Sequence, residues 1–389
     1  MLSFIVFSML LNSMSVIILQ LSQNQQHSYT GLGMLEFFKD IPIALVSIFM
    51  VDYIKKRSYY SSLSIALIIC TLCSFTIPFV SEFWFLKIWF ILIGISFSIG
   101  KICVFSIIKN ISDNEKDFSK TMSRTEAAFM LGVFIVNIEF AIILNSDYKD
   151  YWKFGFWLVG IISSWAAFQF YRIDKQNVYE IDKSHGKEVI DFRILFDYKS
   201  ILFFTIVVII VFTEQIFNSW LPTFYKHTLK ADSFFALQSS AFLALFSFIG
   251  RLLASKAVVK FSPMKIFFFC LISGIILTSS AYIIGQDTDV KVKILMFLFP
   301  MVGIFTAPLY PMLNSKYLSK FSERRVGKIV SIIILFTSLG GSIGSMSTAY
   351  IFQKNLGNYY LLFATIPLIL ILIFSTFFSI KEKISEYIK

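Results

Sequence analysis

The residues of this chain that could do chemistry are charged side chains placed inside long apolar runs. Lys101 and Glu214 each lie deep in such a run, and Glu36, Lys39 and Asp40 share another. An ionisable group at the centre of a membrane helix costs on the order of 2.5–3.5 kcal/mol on insertion scales, so it is expected to face a cavity or a partner. The chemistry open to these groups is proton binding and recognition of a polar solute.

Glu214 is the strongest proton-coupling candidate in the sequence. It has no basic residue within one helical turn, and an unpaired carboxylic acid inside a membrane is expected to hold a proton. Asn218 follows one turn later on the same helical face, where it could bind substrate hydroxyls or carbonyls. Trp220 could stack on a sugar ring, although an aromatic side chain near an interface also serves as a membrane anchor.

Lys101 is the main substrate-binding candidate, and its expected partner is Glu126. The two residues are predicted at similar depth in neighbouring antiparallel helices, and a buried lysine needs a counter-charge. The pair could loosen when an anionic or hydroxyl-rich substrate arrives, and Glu126 is therefore also a proton-coupling candidate. Alternatively, it could be a permanent ion pair that only holds its half of the protein together.

Glu36, Lys39 and Asp40 form a second charged cluster near one end of the second apolar run. Their spacing of three and four residues places all three on one helical face. Lys39 can neutralise one of the two carboxylates, and the other could then bind a proton, so both acids are proton-coupling candidates. The alternative is a solvated vestibule near the outer water, which would give these charges no coupling role.

Two asparagines inside apolar runs, Asn12 and Asn137, are further substrate-binding candidates. Asn12-Ser13 lies about ten residues before the outer end of its run, and Asn218-Ser219 lies about equally far from the outer end of its own. The agreement in depth favours two equivalent halves of the chain. Glu139 is a secondary candidate that could simply face the membrane boundary.

The remaining candidates concern gating and packing. Arg251 is expected near the inner end of its helix, either in an inner gate or as a lipid-facing side chain that reaches the interface. Gly340 and Gly344 form a G-x-x-x-G pair, which is typical of close helix packing. Asp52 and Arg57 lie in a short connection with further basic residues, where they are gating candidates.

The composition is that of a membrane protein. Apolar residues make up 57% of the 389 residues and charged residues only 15%, against roughly 25% charged residues in soluble domains. Such a chain requires a lipid bilayer as its surface and helices that satisfy their own backbone amides. The net charge of +11 does not indicate nucleic-acid binding, because the charges fall in short gaps between apolar runs.

Twelve segments are long and apolar enough to cross a bilayer, which needs about 20 residues. We therefore expect an all-α membrane protein of 12 transmembrane helices in two six-helix halves, residues 1–172 and 199–389, joined by a charged cytoplasmic linker at 173–198. The first run has no basic residues before it and is predicted as a span, not a cleaved signal peptide. The spans are predicted at 2–22, 31–54, 62–80, 84–109, 122–144, 152–172, 199–225, 234–255, 264–285, 292–315, 327–352 and 358–380.

The distribution of basic residues predicts the orientation. With both termini in the cytoplasm, 25 of the 35 Lys and Arg residues lie on the inner side and 8 on the outer side. The other two, Lys39 and Lys101, lie within spans. Because inner loops of membrane proteins are enriched in Lys and Arg, we expect a multi-pass protein with both ends cytoplasmic.

Two six-helix halves joined by a charged inner loop resemble the major facilitator superfamily over essentially the whole chain. Within it, the chain is similar to the fucose:proton symporter group and its TsgA-like relatives. The first span has no acidic residue and the fourth carries Lys101, so that group's sugar and proton sites are not transferred here. The motifs that carry the resemblance are DYIKKRS at 52–58, IGISFSIGK at 93–101, EQIFNSWLPTFY at 214–225 and IGRLL at 249–253.

The resemblance implies a secondary transporter in a bacterial cytoplasmic membrane that moves a small polar solute, sugar-like or another small metabolite, by proton symport. The alternatives are a proton-driven antiporter that exports a drug or a metabolite such as a siderophore, and a transport-like sensor. No nucleotide-binding loop or catalytic motif is present in the sequence, so we expect no enzyme, metal or cofactor and the proton gradient as energy source. The expected partners are the substrate, protons and the bilayer, with the protein as a monomer.

Overall fold

The computed structural model is helical throughout the part of the chain that it describes. That part comprises residues 1–23, 28–50, 53–54, 57–80, 82–112, 115–176, 197–285, 294–295, 298–321 and 323–387. Most of the predicted linker, as well as Asp52, lies outside these residues. The predicted all-α membrane fold is confirmed, and the spans keep the numbers 1 to 12 in chain order.

Within the described ranges, nine spans are single helices and three are divided. Each of spans 1, 2 and 10 contains there two helices in succession. In chain order the helices are Leu2–Asn12 with Met14–Gln23, Tyr29–Gly33 with Leu35–Phe49, Tyr59–Thr76, Phe83–Asn110, Glu115–Leu144, Phe156–Gln176, Tyr198–Thr223, Ser233–Ala257, Pro263–Gly285, Val302–Thr306 with Leu309–Leu318, Glu323–Gln353 and Tyr360–Tyr387.

Ten of the described helices are long and apolar enough to cross a membrane. Spans 2 and 10 are the two predicted spans outside this set. Span 2 contains three charged residues and Pro42 within its longer helix. Span 10 is interrupted between Thr306 and Leu309, where Pro308 stands, because proline lacks the backbone N–H that a continuous helix needs.

Spans 1 to 6 and spans 7 to 12 form two groups that face each other. Span 5 packs along span 8, and span 2 packs along span 11. We call the end of the bundle where span 6 ends at Gln176 and span 7 begins at Tyr198 the linker end, and the opposite end the far end. These two pairs of spans make the most extensive contacts between the halves.

The halves touch at both ends of this interface. At the linker end, the Ser47 hydroxyl donates to the carbonyl of Ser331 at 3.1 Å. At the far end, the ring of Tyr29 packs against both Trp220 and Phe352, with centroid distances of 6.3 and 6.2 Å. We call this arrangement, in which the halves touch at both ends, the closed form.

Gly340 and Gly344 of span 11 lie directly against the backbone of span 7. A Cβ atom on Gly340 would meet the carbonyl oxygen of Val208, and one on Gly344 would lie 2.7 Å from that of Phe212. Backbone atoms cannot move aside as a flexible side chain can. The two glycines therefore set how closely spans 7 and 11 approach.

Gly340→Ala should destabilise the protein, whereas Gly274→Ala should be tolerated. Both glycines are buried in helices of the second half. A Cβ on Gly274, however, would meet only side-chain atoms at ordinary distances, a methyl of Thr306 at 3.6 Å and the Cβ of Phe305 at 3.8 Å. We expect a loss of about 1–3 kcal/mol for Gly340→Ala from overpacking. For Gly274→Ala we expect a change of at most about 1 kcal/mol. Thermal unfolding of the two purified variants measures the difference, and equal melting temperatures would contradict the prediction.

Candidate functional site

A cavity of about 140 Å³ lies at the centre of the interface between the halves. Its walls combine apolar rings with polar and charged side chains from spans 1, 2, 4 and 5 of the first half and spans 7, 8, 10 and 11 of the second. Since both halves line the cavity, relative movement of the halves would change it. The charged residues in its lining are Lys39, Asp40, Lys101, Glu126, Glu214 and Arg251.

The far-end triad consists of Glu36, Lys39 and Asp40 on span 2. Lys39 forms an ion pair with Glu36, and its ammonium lies 3.7 Å from a carboxylate oxygen of Asp40. Glu36 also accepts hydrogen bonds from Gln215 at 2.6 Å and from Ser219 at 2.9 Å, both on span 7.

Asp40 is bound more loosely than Glu36. It accepts one hydrogen bond, from Ser342 of span 11, at 2.9 Å. Of the two carboxylates that contact the Lys39 ammonium, Asp40 is the more distant. Glu36 is fully buried and Asp40 is 6% exposed. The expectation of a solvated vestibule at this end is therefore wrong, because spans 7 and 11 cover the triad.

The central tetrad consists of Lys101, Glu126, Glu214 and Arg251. Arg251 of span 8 is 2% exposed and joins three other spans. Its guanidinium lies 3.3 Å from the Glu126 carboxylate and 3.4 Å from that of Glu214. It also donates to the carbonyls of Glu126 at 2.8 Å and Ala307 at 3.1 Å. A lipid-facing Arg251 is thereby excluded, because the side chain points into the interface between the halves.

Two pairings expected from the sequence are corrected by these contacts. Glu214 is not unpaired, because Arg251 reaches it from the neighbouring span. Lys101 does not form an ion pair with Glu126, whose carboxylate is held by Arg251 instead. The Lys101 ammonium donates to the hydroxyl of Tyr310 on span 10 at 3.1 Å. Among the described residues, no carboxylate lies within 4.0 Å of it.

The predicted polar residues separate into two groups. Asn12 and Asn218 both line the cavity. Trp220 does not, because it is fully buried at the far end, where it donates to Ser345 at 3.0 Å and stacks on Phe352. The prediction that Trp220 stacks on a substrate ring is therefore wrong for this cavity.

Asn137 and Arg57 also lie away from the cavity lining. The side chain of Asn137 donates to the carbonyl of Val133 within its own helix at 2.9 Å. Arg57 is exposed and donates to the hydroxyl of Tyr53 at 3.1 Å. Glu139 is half-buried beside Gly155, outside the cavity. None of these three side chains reaches the central charges.

Sequence reasoning missed several residues of the site. Gln215 and Tyr310 line the cavity and bond to Glu36 and Lys101, but a single glutamine or tyrosine in an apolar run gives no distinctive signal. Ser342 was hidden among the small residues of span 11. Within the described part of the chain, no group of three or more His, Cys, Asp or Glu is placed to hold a metal ion.

Comparisons with known proteins agree with this architecture. The family model described as "Major Facilitator Superfamily" matches residues 1–345. No curated protein sequence matches the chain.

Among solved structures, the fold is similar to an E. coli fucose:proton symporter, with 14% identity, a TM-score of 0.69 and 97% of each chain covered. A D-xylose–proton symporter matches with 16% identity and a TM-score of 0.72, covering 96% of this chain and 95% of the other. A bacterial homologue of the human lysosomal transporter Spinster matches with 13% identity and a TM-score of 0.67, with coverages of 97% and 95%. At these identities the similarity shows a shared fold.

Proposed function

The chain belongs to the Major Facilitator Superfamily of transporters, and we propose that it carries a small polar solute across the membrane by proton-coupled symport. The observation that carries this proposal is the cavity between the halves, which contains charged side chains from both of them. Ionisable groups inside a membrane protein mark substrate and proton pathways. Alternating access would follow if the contacts at the two ends break in turn.

The size of the cavity supports a small substrate. Its volume of about 140 Å³ is below the roughly 300–1,000 Å³ of sites that take drug-sized ligands. Asn12, Asn218 and Tyr310 offer hydrogen bonds to a polar solute, while Phe97 and Phe129 offer apolar contact. A small metabolite therefore fits the closed form better than an exported drug does.

The buried charges support coupling to protons. The triad holds two carboxylates and one ammonium, whereas the tetrad holds two of each sign. A buried charge without a counter-charge is costly. We infer that in the closed form the triad holds one bound proton, on the loosely bound Asp40. The carboxylates of the tetrad hold none in the empty closed form.

Among the four carboxylates, Glu214 is the proposed coupling site. Its one contact with a cation is 3.4 Å long, and its side chain is 19% exposed, against 7% for Glu126. Glu126 is also fixed through its backbone carbonyl. Glu214 can therefore gain and lose a proton with less disturbance to the fold. Two structural neighbours are themselves named as proton symporters, which supports the proposal of proton coupling.

The proposed setting is a bacterial cytoplasmic membrane, with both termini in the cytoplasm and the protein acting as a monomer. The proton gradient is the proposed energy source, with no other cofactor. The excess of basic residues in the predicted inner loops supports this orientation.

Uptake by cells that overproduce the protein should depend on the proton gradient. Radiolabelled sugars, sugar acids and small carboxylates are offered to these cells and to cells that carry an empty vector. We expect one class to accumulate and a protonophore to abolish its accumulation. If cells instead lose a preloaded solute, and if a protonophore prevents this loss, the result would indicate the antiporter. Accumulation that ignores the protonophore would contradict proton coupling.

A further inference from the structure

The environment of the Lys101 ammonium indicates what the substrate offers to it. The side chain is 8% exposed and lines the cavity. The rings of Phe97, Phe105 and Tyr310 surround the ammonium, with centroids at 5.5, 5.7 and 5.1 Å. Aromatic faces attract a cation without neutralising it. The positive charge of Lys101 is thus directed toward the cavity.

The hydrogen bonds of Lys101 are incomplete within the protein. An ammonium has three N–H donors, and among the described residues the Tyr310 hydroxyl is the acceptor that the ammonium reaches, at 3.1 Å. The nearby carboxylates of Glu126 and Glu214 are held by Arg251. The neighbouring triad differs, because there the ammonium of Lys39 contacts both acids directly. Of the two cavity lysines, Lys101 is therefore the one available to an anionic ligand.

We propose that the substrate is a small organic acid whose carboxylate binds the Lys101 ammonium, with its apolar part against the phenylalanine rings. This inference rests on the proposed function and names the substrate class of the same cavity. Hydrogen bonds between an ammonium and a carboxylate are roughly twice as strong as neutral ones. A neutral sugar would leave the ammonium without a counter-charge of its own.

Charge balance connects this substrate to the coupling proton. The tetrad has equal numbers of positive and negative groups, so a bound carboxylate adds one uncompensated negative charge. A proton on Glu214 restores the balance. The loaded closed form then carries one proton more than the empty closed form, and each cycle moves one carboxylate with one proton. With a neutral solute the loaded and empty closed forms would hold equal numbers of protons. Charge balance would then not couple transport of the solute to transport of a proton.

Thermal stabilisation of the purified protein tests the substrate class. The probes are lactate, gluconate and benzoate, each at pH 6, with lactamide, glucose and benzamide as their respective neutral counterparts. We expect at least one acid to raise the melting temperature and its neutral counterpart to leave it unchanged. Equal stabilisation by an acid and its neutral counterpart, or none by any acid, would overturn the proposal.

Variants of two lysines on span 4 locate the binding site. Lys101→Gln should weaken binding of the stabilising acid about tenfold to a hundredfold, as expected for a lost charged hydrogen bond. Lys87→Gln is the matched control, because the Lys87 ammonium also lies over two aromatic rings but outside the cavity. If Lys101→Gln does not fold, Lys101→Arg replaces it and should retain binding. Unchanged affinity in Lys101→Gln, or lost affinity in Lys101→Arg, would contradict the assignment.

Proton uptake upon binding completes the test. The stabilising acid is mixed with the protein in weakly buffered solution that contains a pH indicator, and its neutral counterpart serves as a blank. We expect about one proton taken up per bound acid in the wild type and none in Glu214→Gln. Binding of the acid without proton uptake in the wild type would contradict the proposed coupling between acid binding and protonation of Glu214. If a neutral sugar were instead bound and accumulated with protons, the substrate class would fail while the proposed function remained.

Discussion

Glu214→Gln should abolish accumulation driven by a pH gradient while exchange of the substrate across the membrane continues. Glutamine keeps the size and a hydrogen-bonding group of the side chain but cannot carry a proton. A one-proton symporter can accumulate its substrate about tenfold per unit of pH gradient, since one unit corresponds to 1.36 kcal/mol. In proteoliposomes with a pH gradient, the variant should reach only equal concentrations inside and outside.

Asp40→Asn is the matched control for this prediction. Asp40 also lines the cavity, but we infer that it keeps its proton in every closed form. The neutral amide of asparagine therefore reproduces the charge of the protonated Asp40 side chain. The variant should therefore still accumulate substrate. The opposite pattern, with accumulation lost in Asp40→Asn and kept in Glu214→Gln, would move the coupling proton to the triad and contradict our assignment.

Arg251→Met should be the most destabilising single substitution in the site. It removes the guanidinium from two carboxylates, and breaking a buried ion pair by removing one partner costs about 3–5 kcal/mol. Two buried backbone carbonyls, of Glu126 and Ala307, also lose their donor. Thermal unfolding in detergent should show a lower melting temperature and faster inactivation.

Two further variants separate this effect from the loss of any arginine. Arg57→Met removes an exposed guanidinium, and we expect a change within about 0.5 kcal/mol. In the triple variant Arg251→Met, Glu126→Gln and Glu214→Gln, no carboxylate of the tetrad is left without a partner. It should recover part of the lost stability, and a triple variant less stable than Arg251→Met would contradict the explanation.

The all-α membrane fold, the order of the helices and the interior position of several charged residues could be predicted from the sequence. Apolar length and the distribution of Lys and Arg are local properties that do not depend on tertiary contacts. Lys101, Glu126 and Glu214 were placed in the interior for the same reason, and the structure brings all three to one cavity. A charge deep in an apolar run must have partners, even when the sequence does not name them.

The partners themselves could not be predicted, because they come from distant parts of the chain. Arg251 and Glu126 are 125 residues apart, Lys101 and Tyr310 are 209 apart, and Asp40 and Ser342 are 302 apart. One-turn spacing detects neighbours within a helix and nothing between helices. Glu214 therefore looked unpaired although Arg251 lies beside it.

The burial of the triad could not be predicted from the sequence for the same reason. It lies toward the end of span 2, where distance along the helix suggests contact with water. Span 11 covers it at Gly341, whose missing side chain leaves room for the carboxylate of Asp40. Only the packing of the other half against span 2 decides that these charges are buried.

The most direct test of the proposed symport of one carboxylate with one proton separates the two components of the proton gradient. Proteoliposomes that contain the purified protein are given either a pH gradient or a membrane potential set by potassium and valinomycin, with the stabilising acid as labelled substrate. Because one carboxylate and one proton together carry no net charge, we predict accumulation with the pH gradient alone and none with the potential alone. Accumulation driven by the potential alone, or unaffected by the pH gradient, would contradict the account.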